Sequence, residues 1–77
     1  MEDEVCRVIA EALSMKAGSV TVNDDINTIE KWDSLGFLSI LSALENRFGG
    51  KVAEIDDLAS VKSVREIIDV FKREHII

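Results

Sequence analysis

Apolar residues recur along the first segment at Val5, Val8, Ile9, Ala12 and Leu13. That is the i, i+3, i+4, i+7, i+8 stripe of an amphipathic helix, and it predicts one from about Glu2 to Ala17. Glu2, Asp3 and Glu4 stand at its positive end, Lys16 stands near its negative end, and Gly18 is the expected C-terminal stop. Cys6 falls beside the stripe, where a thiol normally packs. A second helix is predicted from Asp33 to Phe48, with Ile40, Leu41, Leu44 and Phe48 in one stripe and Phe37 extending it toward the N-terminus. Asp33 is the expected N-cap and Gly49-Gly50 the expected end. Ser63-Val64-Arg65-Glu66 reads as a capping box opening a last helix to about Glu74, with Val64, Ile67, Ile68 and Phe71 on its buried face.

Two stretches lack this period. Val52 to Ala59 has Val52, Ile55 and Leu58 as apolar positions and predicts an irregular run with one short helix. Ser19 to Asp33 is a long polar loop whose apolar anchors are expected to be Ile26, Ile29 and Trp32. Long ordered loops in small domains tend to be functional. Within it, Asn23-Asp24-Asp25 is a turn signal, and its spacing does not match a calcium-binding loop, so no metal site is assigned. No segment alternates with period two. The expected architecture is all-α: three main helices, one short helix and a long loop between helices one and two, closed into a small bundle. Residues 1–77 are expected to form a single domain.

Composition narrows the function. Fifteen acidic residues against nine basic ones give a net charge of −6, which argues against binding nucleic acid. A single cysteine excludes an internal disulfide. Met1-Glu2-Asp3-Glu4 is acidic, unlike the opening of a secretory signal, and no apolar run approaches the ~20 residues of a membrane span. A cytoplasmic location without membrane insertion is therefore expected, and the chain is expected to be a monomer. An independent enzyme is not: the one histidine, His75, is expected at the C-terminal end of the last helix, interacting with its dipole.

The remaining candidate chemistry is Trp32-Asp33-Ser34-Leu35-Gly36, at the end of the polar loop and the start of the second helix. A serine hydroxyl there faces solvent at the positive end of a helix, where a phosphate is favoured. The pattern points to a serine that carries a phosphate-linked group rather than to a nucleophile. Leu35 and Leu38 lie off the core stripe, either as an exposed apolar patch beside Ser34 or as rim residues of the core. Gly36 costs about 1 kcal/mol of helix propensity against alanine, which suggests close approach of a group carried on Ser34 or of a partner, the alternative being a glycine that the first turn merely tolerates.

With Asp33-Ser34-Leu35 at the head of helix two, Leu44-Glu45-Asn46-Arg47-Phe48 further along it and Val61-Lys62-Ser63-Val64 before the last helix, the chain resembles the acyl carrier proteins over its whole length. The resemblance implies a carrier-type bundle without catalytic activity of its own. It implies that a phosphopantetheinyl transferase places 4′-phosphopantetheine covalently on Ser34, and that the arm's thiol then holds an acyl or aminoacyl group as a thioester. Asp33 would assist at the transferase site, and Leu35, Leu38, Gly36 and Glu45 would face partner enzymes. These partners would be an acyl- or aminoacyl-adenylating ligase, an acyltransferase or a synthase, in fatty-acid, polyketide or related specialised biosynthesis. Helix two has Ser39, Ser42, Asn46 and Arg47 where fatty-acid carriers are more acidic, and Trp-Asp-Ser-Leu-Gly resembles stand-alone carriers served by a dedicated ligase. The competing expectation is an unmodified helical adaptor that binds a protein through Leu35, Leu38 and its acidic surface.

Overall fold

The computed structural model describes residues 2–77; Met1, which belongs to the acidic opening, lies outside them. The described residues form three α-helices: α1 (Glu2–Ala12), α2 (Ser34–Phe48) and α3 (Val64–Arg73). No strand occurs among them, and no helix is long and apolar enough to cross a membrane. Between α2 and α3 the expected short helix is instead two 3₁₀ segments, Gly50–Glu54 and Asp56–Ser60. Each seats one apolar residue, Val52 and Leu58, in the core. Short 3₁₀ pieces are frequent as connectors between helices.

α1 ends earlier than its periodicity suggested. The Met15 N–H donates to the Ala10 carbonyl and the Ser14 N–H to the Glu11 carbonyl, while Ser14 turns into the left-handed region at φ 56°. This is a Schellman closure with serine in the position that glycine usually fills. Gly18, also left-handed, belongs to the following turn and is not the helix stop. α3 closes in the same way. His75 lies just past the helix at φ 60°, and the Ile76 N–H donates to the Phe71 carbonyl. His75 is thus the residue that turns the chain off the helix, not part of the last helical turn.

The core forms where the three apolar faces meet. Val5 and Ile9 of α1, Ile40 and Leu44 of α2, and Val64, Ile67 and Phe71 of α3 are fully buried together with Leu58. Phe48, half-buried, meets the Phe71 ring edge-on at 5.2 Å between centroids. Phe37 and Leu41 are also half-buried on its margin. Ion pairs cross the helix boundaries from Arg47 to Glu4 and from Lys72 to Glu2. Exposed pairs of this kind each add at most about 1 kcal/mol, so burial carries the fold.

The long loop is held at both levels. Val20, Ile29 and Trp32 reach the core, but Ile26 does not: it is 40% exposed, which corrects its expected anchoring role. Its backbone is fixed instead. The Ile26 N–H donates to the Lys62 carbonyl at 3.0 Å, and the Val64 N–H donates to the Asp24 carbonyl at 3.1 Å. These bonds form an antiparallel bridge between Asp25 and Ser63, tying the loop to the start of α3. The side chain is then free to point outward. Asp24 and Asp25 fold the turn internally, accepting from Thr21 and Asn27 backbone amides and from the Thr28 hydroxyl. The acidic cluster is therefore a hydrogen-bonded turn.

The Ser63 cap forms as expected, with the Glu66 N–H donating to Ser63 Oγ at 3.1 Å. The reciprocal bond is displaced by one residue: Glu66 Oε1 accepts from the Lys62 N–H at 2.8 Å. The bridge to the loop sets the backbone so that Lys62, not Ser63, offers its amide to that carboxylate.

Candidate functional site at the start of helix two

Three residues set the geometry of the α2 start. Asp33 is extended, at φ −109°, and its Oδ1 accepts the Gly36 N–H at 2.8 Å. Its carbonyl accepts the first intrahelical bond, from the Phe37 N–H at 2.7 Å. Ser34 is thereby the first helical residue, and it is exposed. Neither the Ser34 nor the Leu35 N–H finds an acceptor among the described residues. Two free donors and the positive helix end surround the hydroxyl.

Gly36 explains why the loop can arrive so closely. A Cβ built there would lie 2.0 Å from the Lys31 carbonyl oxygen and 3.1 Å from Leu13 Cδ2. The group that approaches this glycine is the chain's own backbone, not a bound group or a partner, which corrects the expectation at Gly36. The contact lets the chain turn from Lys31 into α2 with Trp32 buried behind it.

The surroundings of Ser34 are apolar for an exposed region. Leu35 is 77% and Leu38 62% exposed, which resolves their position as surface rather than core rim. With Ile26 they are the large hydrophobic residues that the fold leaves exposed among the described residues. Glu45, further along the exposed side of α2, borders a separate cleft of about 420 Å³ with Leu41, Val52, Ile55 and Leu58. On the other side of Ser34 runs an open groove of about 310 Å³. Trp32, Phe37 and Val61 give it an apolar lining, Ile26 and Ser60 border it, and Lys62 and Asp33 are its charged residues.

Sequence spacing does not reveal this groove. Val61 and Lys62 are far from Ser34 along the chain, and only the bridge between the loop and the start of α3 brings them to it. His75 and Cys6 are not among the groove residues. The Cys6 thiol is buried in the core, and burial, reinforced by Asp3 and Glu2 nearby, pushes its pKa above the ordinary thiol value. That is the opposite of an activated nucleophile.

Residues 3–71 match the phosphopantetheine attachment site family, and the chain belongs to that family. Its members are carriers that hold 4′-phosphopantetheine covalently on a serine. No curated protein and no solved structure matches the chain. The residues described above fit such a group. They supply an exposed hydroxyl, unpaired backbone donors for a phosphate, and an open groove with an apolar lining beside it. A carrier of this kind meets a modifying transferase and biosynthetic enzymes.

Proposed function

We propose that Ser34 is the attachment residue, and that the chain is one carrier domain serving a dedicated biosynthetic enzyme set. The observation that carries this reading is the presentation of Ser34. Its exposed hydroxyl stands at the first position of α2, fixed by the Asp33 cap and by the Lys31–Gly36 contact. When bound, the arm supplies a terminal thiol that holds an acyl or aminoacyl group as a thioester. The chain's own residues do the rest. Asp33 holds the α2 start rigid and offers a carboxylate beside the hydroxyl to the transferase. Leu35 and Leu38 give partner enzymes an apolar surface next to the cargo, and Glu45 supplies an acidic contact further along α2. A tethered cargo meets nearby active sites at high effective concentration, so the carrier needs no catalytic groups.

The charge of α2 bears on the partners. Glu45 is its one acidic residue and Arg47 its one basic residue, and Arg47 is already paired with Glu4. An apolar, hydroxyl-rich face fits partners that recognise the leucines rather than an acidic stripe. This supports a stand-alone carrier loaded by an acyl- or aminoacyl-adenylating ligase, with an acyltransferase or synthase downstream, over a housekeeping fatty-acid role.

The test is intact mass after incubation with coenzyme A, magnesium and a broad-specificity phosphopantetheinyl transferase. Wild type is expected to gain one phosphopantetheine and Ser34→Ala none. A folded wild-type protein that gains nothing, or a Ser34→Ala variant that is still loaded, would overturn the assignment.

A further inference from the structure

We infer that the groove beside Ser34 receives the pantetheine arm, with the Lys62 ammonium paired to its phosphodiester; this rests on Ser34 as the attachment residue. Ser34 and Lys62 line the same groove, together with Trp32, Phe37 and Val61. Those apolar side chains suit the methylene and dimethyl parts of a pantetheine chain. The charges are complementary. A phosphodiester on Ser34 carries one negative charge, and Lys62 is the groove's one basic residue. Asp33, its one acidic residue, turns its Oδ1 to the Gly36 N–H in the cap. Lys62 enters no ion pair among the described residues, so its ammonium is available.

Lys62 is also held in place. Its carbonyl accepts the Ile26 N–H at 3.0 Å, and its N–H donates to Glu66 Oε1 at 2.8 Å. The main chain is thus clamped between the loop that leads to Ser34 and the capping carboxylate of α3, while the side chain remains exposed. A clamped backbone lowers the entropy lost when the ammonium settles on a phosphate. Lys62 acts here as a positioning residue. It fixes the direction in which the arm leaves Ser34 and does no chemistry on the cargo.

The experiment compares amide and indole chemical shifts of apo and holo protein, after intact mass has established the holo form. Wild type is expected to shift at Ile26, the Trp32 indole and residues 59–62 as well as at Ser34. In Lys62→Gln the shifts at Ile26, Trp32 and 59–61 should fall at least two-fold, and Lys62→Arg should restore them. The phosphorus resonance of wild-type holo protein should be broader than that of the Gln variant, because the phosphate is less mobile. Both variants keep the backbone bonds of residue 62, and the apo spectra check that they fold. Shifts confined to residues 33–36 would overturn the groove, and unchanged shifts in Lys62→Gln would overturn the ion pair. An absent mass gain removes the attachment reading itself and the inference with it, an outcome separable from the other two.

Discussion

Replacing Gly36 by alanine sets two contributions of opposite sign against each other. Helix propensity alone favours alanine by about 1 kcal/mol. The structure places the new methyl 2.0 Å from the Lys31 carbonyl oxygen, whereas ordinary contact begins at 3.4 Å. The oxygen belongs to the backbone and must retreat by the difference, about 1.4 Å. Overpacking a filled site of this kind costs about 1–3 kcal/mol. Lys31 directly precedes Trp32, which is buried, and Asp33, which caps the helix, so the retreat also strains a cap worth about 1 kcal/mol. The sum, after the propensity gain, is a net loss of about 1–3 kcal/mol. For a domain of this size that lowers the melting temperature by roughly 5–20 °C. Thermal unfolding followed by circular dichroism at 222 nm measures it, with urea titration as a second route to the same free energy. A Gly36→Ala protein that melts at or above the wild-type temperature would refute the reasoning, because propensity would then outweigh the close approach.

Leu44→Ala should cost on the order of 2–5 kcal/mol, since Leu44 is fully buried, and should lower the melting temperature by roughly 10–40 °C; a shift of only a few degrees would show that α2 is misplaced. Apo protein should react with a thiol reagent such as dithionitrobenzoate only slowly, because Cys6 is buried and its pKa is raised, whereas holo protein should show one additional, fast-reacting thiol. The Asp24 carboxyl is held below its usual range, first by the Thr21 N–H and then by the Thr28 and Thr21 hydroxyls. A depressed folded pKa contributes stability that is present above the unfolded value, about 4, and lost as pH falls through the folded one. Melting temperature should therefore decline below about pH 4, and Asp24→Asn should lower the plateau while flattening part of that decline; an identical acid profile in the variant would exclude Asp24 as a contributor.

The helices were legible because their burial is periodic. Val5, Val8 and Ile9 in α1 and Val64, Ile67, Ile68 and Phe71 in α3 recur with the helix repeat and are all buried. The cap residues Asp33 and Ser63 were legible because short polar side chains before an apolar run satisfy amides close in sequence. What escaped is what depends on distant partners. Ile26 looked like an anchor by hydropathy, yet its backbone bond to Lys62 decides which way it faces. The need for Gly36 depends on where Lys31 arrives, and the groove depends on Val61 and Lys62 docking beside Ser34. The end of α1 escaped for a local reason: a serine rarely takes the left-handed turn, and Gly18, four residues later, carried the stronger signal.

The antiparallel bridge between Asp25 and Ser63 joins the loop that precedes Ser34 to the element that follows both 3₁₀ segments. The Ile26 and Val64 amides are the two donors of that bridge, and neither bond can open far while the other stays closed. In native-state hydrogen exchange the two amides should report a single opening event with one protection factor. The loop that leads to Ser34 and the first turn of α3 would then open as one unit, so the local stability of the attachment site is tied to that of a helix far from it in sequence.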